Sequence, residues 1–363
     1  MNIIARLNIF LLLITPYLLS SDSNYPPTNQ ELFEGKKIVI TGGTGYLGRA
    51  LITELLKYNP AKIVIFSRDE VKHFNVANLF NNNPKIQSIV GDVRDYDRVL
   101  EATRSADIVI HAAAHKRIDM MESNVEEVIK TNILGSINVF KACIENKVEK
   151  VIFTSTDKAC APVNAYGACK FLSEKIFTNY DAAEIETHFI VARYGNVLES
   201  TGSIIPIIID RIKSGKNLLL TDMRMTRFIV SQQEAVELVF DALRYGQGGE
   251  IFVRRVPSMR LIDLMEILKA KYNADNTIQI TGLRPGEKIH EVLVNESETS
   301  RTVAFEDYFI IRSSVAKPID QEDVPLYLTR GTPFISELPE FSSRQAIISK
   351  EDLESLFKKL GLL

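Results

Sequence analysis

The sequence predicts an α/β fold in which a doubly wound parallel sheet is followed by a smaller C-terminal α/β lobe that binds a substrate. Short apolar runs alternate with helical stretches through the first half of the chain, and this alternation is typical of a parallel sheet covered by helices on both faces. A glycine-rich turn directly after the first apolar run indicates the same class. With 363 residues, of which 45% are apolar and 25% charged, the chain is long enough to bury a sizeable core.

The composition excludes several classes of protein. A formal net charge of -3 gives no general attraction for polyanions, so nucleic acid is not an expected partner. The three cysteines lack C-x-x-C spacing, which favours a reducing compartment, and the five histidines are scattered, with no pair spaced for a metal on one helix face. We therefore expect a cytoplasmic protein without a bound metal.

Residues 1–35 are predicted to precede the folded domain as an extension and linker. The apolar run 7–19 follows a basic residue and precedes a polar stretch, which is the outline of a signal peptide or a shallow membrane anchor. A transmembrane helix needs about 20 apolar residues, more than this run contains. Membrane contact is expected only through residues 7–19, and an unstructured extension remains the alternative.

The first strand is expected over residues 37–41, and the turn Gly42-Gly43-Thr44-Gly45-Tyr46-Leu47-Gly48 leads from it into a helical pattern over 49–58. Glycines let a pyrophosphate approach the backbone, and the N-terminus of the following helix offers it free N–H groups. A turn that binds nothing is the alternative. Because the flanking strand and helix are those a Rossmann-type site requires, we expect a dinucleotide here.

The residues after the second strand, expected over 62–66, bear on which dinucleotide is bound. An NAD site of this type has a carboxylate here for the ribose 2′-hydroxyl, whereas this chain has Ser67 and Arg68 first. A guanidinium beside a hydroxyl suits a 2′-phosphate, and Lys72 adds charge, so the sequence favours NADP over NAD. Asp69 keeps NAD open, and a solvated strand end is a further alternative.

Further strands are expected over residues 88–90, 108–112, 151–154 and 188–192, with a helix over 126–146 between two of them. Ligands of doubly wound sheets lie beyond the carboxyl ends of the strands. Three groups of residues follow such ends and are candidates for ligand contacts: Asp92 and Val93; Ala112, Ala113 and Ala114, which leave room for a cofactor; and Ser155 and Thr156.

Tyr166 and Lys170 are four residues apart, which places both side chains on one face of a helix. There the Lys170 ammonium and an oxidised nicotinamide would favour the phenolate of Tyr166, which could then act as a base near neutral pH. Tyr-x-x-x-Lys is common on ordinary helices. Its position behind a dinucleotide turn and a strand that ends in Ser155-Thr156 favours the catalytic interpretation.

These motifs resemble, in order, those of the short, C5-inverting UDP-N-acetylglucosamine 4,6-dehydratases, which are extended short-chain dehydrogenases/reductases of bacterial glycan synthesis. The resemblance covers roughly residues 36–355. In the first half the matching stretches are TGGTGYLG (41–48), SRDEVK (67–72), GDVRD (91–95), HAAAHK (111–116), KTNILG (130–135), STDKA (155–159), YGACK (166–170) and RYGNV (193–197). In the second half they are MTRF (225–228), GGEIFV (248–253), PSM (257–259) and RPGEKIHE (284–291).

The resemblance implies an NADP-binding Rossmann domain over residues 36–195 and a UDP-sugar-binding lobe over 196–363, with parts of 226–253 returning to the first domain. Cofactor contacts are implied for the glycine-rich turn, for Tyr166 and Lys170, and for residues at three strand ends: Ser67, Arg68, Asp69 and Lys72; Asp92 and Val93; and Ala112, Ala113 and Ala114. Substrate contacts are implied for Lys116, Asn196, Val197, Arg227, Met259, Arg284 and Glu287. Two arginines can bind a diphosphate and a glutamate can accept from ribose hydroxyls, with surface solvation as the alternative for the arginines. A homo-oligomer is expected.

The implied reaction proceeds in two halves. Tyr166 removes the C4 hydroxyl proton while hydride passes to NADP, with Lys170 lowering the phenol pKa and Thr156 orienting the hydroxyl. Lys158 then takes the C5 proton, Asp157 as a carboxylic acid protonates the departing C6 hydroxyl, and the hydride returns to C6. Protonation of C5 from the opposite face would invert that centre.

The chain departs from the family pattern at several positions near the implied substrate residues, which leaves the preferred UDP-N-acetylhexosamine open. The departures are Arg117, Asp119, Glu199 and Thr201, and Cys160-Ala161 replaces a common Ala-Asn.

Three other functions remain. A nucleotide-sugar 4-epimerase has no need of the Asp157-Lys158 pair. A retaining dehydratase is closer, although its long membrane-bound members often carry Met in place of Tyr166. A catalytically silent NADP-binding protein is disfavoured because all four ionisable residues of the implied site are kept.

Overall fold

The computed structural model of the protein describes residues 26–180, 185–198, 203–315, 324–334 and 339–363. The apolar run 7–19 and the departures Glu199 and Thr201 lie outside these residues. Within the described ranges, no helix combines the length and the apolar character needed to cross a membrane.

The described strands form a ten-stranded sheet and three smaller sheets. In chain order the strands are β1 Lys37–Thr41, β2 Lys62–Ser67, β3 Ile86–Val90, β4 Ile108–His111, β5 Lys150–Thr156, β6 His188–Tyr194, β7 Asn196–Val197, β8 Leu218–Leu220, β9 Thr226–Val230, β10 Ile251–Arg254, β11 Ser258–Arg260, β12 Ile278–Ile280, β13 Val292–Val294, β14 Thr302–Phe305, β15 Tyr308–Ile311, β16 Thr332–Pro333 and β17 Phe341–Ser342.

The helices lie mostly between the strands. They are α1 Asn29–Phe33, α2 Tyr46–Leu55, α3 Glu70–Leu79, α4 Tyr96–Thr103, α5 Ile118–Met121, α6 Val125–Val128, α7 Gly135–Glu145, α8 Ala165–Thr178, α9 Ile204–Lys213, α10 Gln232–Tyr245, α11 Leu261–Lys271, α12 Glu296–Thr299, α13 Leu326–Arg330 and α14 Lys350–Lys359. A 3₁₀ turn, Leu56–Tyr58, follows α2, and a π-helical segment, Ile129–Leu134, joins α6 to α7.

The large sheet has the strand order β3-β2-β1-β4-β5-β6-β10-β15-β14-β16. The first seven strands in this order are parallel, and β15, β14 and β16 continue the sheet in antiparallel pairs. The order 3-2-1-4-5-6 is that of a doubly wound dinucleotide-binding sheet. The predicted fold class, an α/β Rossmann-type sheet with a smaller lobe, is confirmed.

The central strands are continuous apolar runs because both of their faces are covered by helices. In β1, Ile38 and Ile40 belong to the buried cluster on the side of α2 and α10, whereas Val39 belongs to the cluster on the side of α7. Successive side chains of a strand point to opposite faces, so one strand contributes to both clusters. This double burial fixes the sheet whose carboxyl edge carries the site.

A separate apolar cluster builds the C-terminal lobe. Helices α9, α11 and α14 contribute Ile208, Leu264 and Phe357 to it, each almost fully buried. The small sheets β7-β9-β11, β8-β12 and β13-β17 lie in the same part of the chain. Helix α10 packs on α2, and β10 pairs with β6, so these two elements lie against the helices and strands of the first half of the chain. Strands β14 to β16 also extend the large sheet, and the domain boundaries themselves stay a prediction.

Two predicted helices differ in their bounds. The helix expected over 49–58 begins at Tyr46 and ends at Leu55, because Gly45 already acts as its N-cap. The helix expected over 126–146 is divided by the π-helical segment Ile129–Leu134. Such segments often occur at functional sites, and apolar periodicity does not reveal them.

Candidate active site

The glycine-rich turn is packed too closely for side chains at three positions, Gly42, Gly43 and Gly48. Gly42 has φ +71°, and a Cβ there would lie 2.9 Å from the carbonyl carbon of Ala112. A Cβ on Gly48 would lie 2.4 Å from the Gly43 oxygen. The turn therefore runs close to the ends of β1 and β4, and Gly45 caps α2 without a side-chain hydrogen bond. This backbone fits a pyrophosphate at the N-terminus of α2.

Asp69 and Arg68, the two residues after β2 that bear on cofactor choice, have different surroundings. Asp69 is the N-cap of α3: its carboxylate accepts from the Lys72 backbone at 3.0 Å and pairs with the Lys72 ammonium at 3.1 Å. Arg68 is exposed, with its Nη1 3.7 Å from Asp92 Oδ2. The Ser67 hydroxyl lies 2.9 Å from the Thr44 hydroxyl in the glycine-rich turn. Asp69 thus serves its own helix, whereas Arg68, like Lys72, is an exposed cation in this region.

The next two strand ends are held by residues that the sequence interpretation did not single out. The Asp92 carboxylate accepts from Arg94 at 2.7 Å, and Val93 is buried. The loop after Ala112–Ala114 is fixed by Asn132, whose amide makes two hydrogen bonds of 2.8 and 2.9 Å to the backbone of His115. Asn132 lies in the π-helical segment, so its reach to this loop depends on a backbone irregularity.

The carboxyl end of β5 carries three of the predicted catalytic residues. The Thr156 hydroxyl donates to Asp157 Oδ1 at 2.9 Å, and Lys158 Nζ donates to the same oxygen at 2.8 Å. Asp157 is fully buried, and its Oδ2 has no hydrogen-bond partner among the described residues. A buried carboxylate oxygen without a partner is rare, and a catalytic role is one of the few explanations for it.

Helix α8 brings the other two catalytic residues to the same place. Its N-cap, Asn164, accepts from the Gly167 backbone at 2.8 Å. A Cβ on Gly167 would lie 2.3 Å from the Lys158 carbonyl oxygen, so only glycine lets the helix approach the end of β5. Tyr166 and Lys170 are both buried on the face of α8 that points there. The five predicted catalytic residues therefore form one cluster.

Burial shifts the pKa values of both Tyr166 and Lys170. Burial lowers the pKa of Lys170 to about 7, and its ammonium donates to the Thr154 carbonyl at 2.8 Å. Burial and the Asp157 carboxylate raise the pKa of Tyr166, and a hydrogen bond with Thr156 opposes this rise. Lys170 is directed at a carbonyl and Asp157 lies beside the phenol, so the lowering of the phenol pKa by Lys170 together with an oxidised nicotinamide stays a prediction.

A further carboxylate, Glu291, completes the cluster. Its oxygens lie 3.7 Å from Lys158 Nζ, 3.7 Å from Arg227 Nε and 3.2 Å from Lys288 Nζ. These three cations lower the pKa of Glu291 although burial alone would raise it. The sequence interpretation included Glu291 only as the last letter of the RPGEKIHE stretch.

Burial and neighbouring charges also shift the pKa values of Asp157 and Lys158. Burial raises the pKa of Asp157, with Lys158 opposing the rise and Glu291 adding to it. Burial alone would lower the pKa of Lys158, but the two carboxylates outweigh it and raise the value. A raised pKa is the opposite of what a free amine base needs. For the role predicted for it, Lys158 must first give up a proton, and Asp157 is the acceptor at 2.8 Å.

A pocket of about 490 Å³ adjoins the cluster on the side of the C-terminal lobe. Five of the seven predicted substrate residues line it: Asn196, Val197, Arg227, Met259 and Glu287. Lys116 and Arg284 are not among the lining residues, and both are exposed.

Arg227 is buried, so the alternative of surface solvation is wrong for this residue. Its Nη1 donates to the carbonyls of Thr226 and Ile289 at 2.7 and 3.2 Å. The guanidinium is thereby held at the pocket wall. The predicted pair of arginines is not assembled on this wall, because Arg284 lies outside it.

A second buried charge cluster lies behind the site. Arg193, at the end of β6, binds the carboxylates of Glu174 and Glu298 through four hydrogen bonds of 2.6 to 2.8 Å. The Ser155 hydroxyl donates to Glu174 at 2.6 Å, which ties this cluster to the strand that carries Thr156. Over the described part of the chain, no group of His, Cys, Asp and Glu is arranged to hold a metal ion.

A Rossmann-type sheet, a glycine-rich turn at its first crossover, and Tyr166 and Lys170 on the helix after a strand that ends in Ser-Thr are the features of an extended short-chain dehydrogenase/reductase. The chain matches the model of the polysaccharide biosynthesis protein family over residues 38–313, and it belongs to that family.

Three similar proteins place the chain within this family. An inverting UDP-N-acetylglucosamine 4,6-dehydratase of Campylobacter jejuni is 45% identical over 80% of this chain and 86% of its own length. A UDP-glucose 4-epimerase of Rickettsia bellii is 39% identical over 91% of this chain and 97% of its own length. The X-ray structure of Pen from Bacillus thuringiensis superposes with a TM-score of 0.83 at 35% identity, covering 91% of this chain and 99% of that one.

Proposed function

We propose that the protein is an NADP-dependent UDP-N-acetylglucosamine 4,6-dehydratase that inverts C5. The observation that carries this proposal is the buried Asp157–Lys158 pair, 2.8 Å apart, beside Tyr166. A 4-epimerase oxidises and reduces C4 alone and needs no acid and base for C5 and C6. The pair therefore favours the activity named for the Campylobacter relative over that named for the Rickettsia relative.

In the first half-reaction Tyr166 takes the proton of the C4 hydroxyl, and Thr156 orients that hydroxyl. When bound, the nicotinamide accepts a hydride from C4 and later returns it to C6. The Asp157 carboxylate raises the pKa of Tyr166. Protonation of Asp157 would remove this charge and so lower the pKa of the Tyr166 phenol. Protonated Asp157 is also the general acid of the second half-reaction, so one protonation state serves both steps.

In the second half-reaction Lys158 and Asp157 act as a pair that shares one proton. Transfer of the ammonium proton across 2.8 Å converts the ion pair into an amine and a carboxylic acid. The amine takes the C5 proton, the C5–H electrons form the C5=C6 bond, and the C6–O bond breaks as Asp157 gives its proton to the departing hydroxyl. Water leaves, and the ion pair is restored. When hydride returns to C6, C5 takes up a proton, which balances the one that Tyr166 removed from the C4 hydroxyl; its delivery to the face opposite the one the first proton left would invert C5.

The pocket beside the cluster would take the UDP-sugar. Glu287 would accept from ribose hydroxyls, and Arg227 would face the diphosphate from a buried position. Asn196 lines the same pocket with its Oδ1 3.5 Å from Lys158 Nζ. The sugar would thereby lie between the pocket and the reactive pair.

The choice of NADP rests on the end of β2. Arg68 is an exposed cation, whereas Asp69 caps α3. NADP should therefore bind more tightly than NAD, and Arg68→Ala should remove the preference, at a cost of about 1.5 to 3 kcal/mol for one charge-assisted contact. Calorimetry of both cofactors tests this, with Lys57→Ala as a control in an exposed ion pair elsewhere. Equal affinity of the wild type for the two would contradict it.

The reaction itself is tested by mass spectrometry of the full chain incubated with UDP-N-acetylglucosamine and NADP. We expect a product lighter by one water molecule. A product of unchanged mass with the C4 configuration inverted would establish the epimerase instead. Asp157→Asn should stop water loss, and Tyr166→Phe should stop all change at C4.

A further inference from the structure

We propose, resting on the function above, that Glu291 is a positioning residue that makes Lys158 and Asp157 an acid–base pair. It does so as a fixed negative charge 3.7 Å from Lys158 Nζ, in addition to Asp157 at 2.8 Å. No substrate contact is assigned to Glu291, which acts through these two residues.

Glu291 is anchored independently of the catalytic loop. Its backbone N–H donates to the Ser343 hydroxyl at 2.9 Å, and its carbonyl accepts from the Ser343 backbone at 2.8 Å. It directly precedes β13, which pairs with β17. Its side chain is only 4% exposed. The carboxylate therefore keeps its place when the end of β5 carries out a proton transfer.

The two carboxylates next to Lys158 have different surroundings. Glu291 faces Lys158, Arg227 and Lys288, which are three cations within 3.7 Å. Asp157 faces one cation, Lys158, and the Thr156 hydroxyl. Asp157 Oδ2 and Glu291 Oε2 both lack a hydrogen-bond partner among the described residues, so the two carboxylates differ in the number of cations around them. Two like charges near one ammonium do not ionise equally easily, and the better-paired one keeps its charge. Glu291 stays anionic, and the mobile proton belongs to Asp157 and Lys158.

Lys288 connects the same carboxylate to the catalytic loop. Its ammonium lies 3.2 Å from Glu291 and donates to the Cys160 carbonyl at 2.8 Å, with the Asp157 carbonyl at 3.4 Å. Asp157 also lies beside Tyr166, and burial together with the Asp157 carboxylate raises the pKa of that phenol. The charged groups around the pair are thus Glu291, Lys288 and Arg227.

The test is the pH dependence of kcat, measured with UDP-N-acetylglucosamine on the full chain. The working pair holds one proton, so activity falls when a second proton binds at low pH and when the last one leaves at high pH. The negative charge of Glu291 favours both protonated forms. In Glu291→Gln, both limbs of the profile should therefore move to lower pH, by about one unit, and kcat should fall more than KM changes.

A second variant, which removes a positive charge instead of a negative one, tests the proposal if Glu291→Gln does not fold. Lys288→Met removes a cation from the same cluster, so both limbs should move to higher pH. Glu291→Asp retains the charge and should keep the wild-type limbs. Glu250→Gln is the matched control: Glu250 is also buried, but it binds the Gln247 and Gly248 backbone and the Tyr327 hydroxyl instead of the pair.

The proposed role of Glu291 would be overturned if the limbs of the pH profile stayed in place in both Glu291→Gln and Lys288→Met. This holds even if activity is reduced, because a purely structural defect lowers activity without moving the limbs. That outcome leaves the proposed function standing, since the wild type would still release water. A wild type that forms no dehydrated product would contradict the proposed function itself.

Discussion

Two buried clusters of charge lie on opposite faces of β5, and they are built in different ways. In the first, all five N–H groups of Arg193 donate at 2.6 to 2.8 Å, four to Glu174 and Glu298 and one to the Leu293 carbonyl. In the second, Lys158 has one contact of 2.8 Å with Asp157, and its other contacts are 3.5 to 3.7 Å long. The first cluster is fully satisfied and the second is not.

The difference shows which cluster can change its protonation. A guanidinium keeps its proton in proteins and forms paired planar contacts, whereas an ammonium can lose a proton and has no fixed fork. Consecutive residues of β5 join the two clusters, since Ser155 donates to Glu174 and Thr156 donates to Asp157. The Arg193 cluster holds the strand rigid, and the Lys158 cluster carries out the proposed chemistry at its end.

The largest effect is expected from the unsatisfied cluster. Asp157→Asn removes the general acid, and loss of such a group typically costs about 10²- to 10⁴-fold in turnover. The loss of stability should be smaller than at the Arg193 cluster, because Lys158 keeps Glu291 as a counter-ion at 3.7 Å. Turnover and thermal unfolding of the same preparation measure both. A variant with more than a tenth of the wild-type turnover would remove Asp157 from the proposed mechanism.

The satisfied cluster should give the reverse result. Arg193→Met leaves two carboxylates buried without their cation, and breaking a buried pair in this way typically costs about 3 to 5 kcal/mol. Denaturant unfolding measures the loss. The control is Lys57→Ala, which breaks an exposed pair with Glu54 and should cost less than about 1 kcal/mol. Equal losses in the two variants would show that the Arg193 cluster does not hold the fold.

A smaller effect is expected on the pH dependence of the unfolding free energy, through Glu298 of the Arg193 cluster. Burial alone would raise the pKa of Glu298, but Arg193 outweighs it and lowers the value to about 2 from the ordinary 4.5. Because the folded value is the lower one, the stabilisation is complete above pH 4.5 and is lost as the pH falls towards 2. Glu298→Gln should therefore flatten the fall in unfolding free energy over this range. An unchanged slope in the variant would contradict the assignment.

The sequence predicted the parts of the site that are local in the chain. The glycine-rich turn, the pair Asp157-Lys158 and the four-residue spacing of Tyr166 and Lys170 each follow from a strand end or a helix period. Their positions needed no knowledge of distant residues.

The remaining parts depend on contacts between distant positions. Arg193 and Glu298 are 105 residues apart, and Asn164 binds Gly286 across 122. Glu291 is an ordinary acidic residue until β13 places it beside Lys158. Protonation states also depend on burial, which raises the pKa of Tyr166 and cannot be seen from the spacing of Tyr166 and Lys170 in the sequence.

The most direct test of the account follows one hydride. UDP-N-acetylglucosamine deuterated at C4 is incubated with the full chain and NADP, and the product is analysed by mass spectrometry and NMR. The account predicts loss of one water and deuterium at C6, because oxidation at C4 and reduction at C6 share a single cofactor in one site. Deuterium that remains at C4 of a product with unchanged mass, or label released to added free NADP, would contradict it.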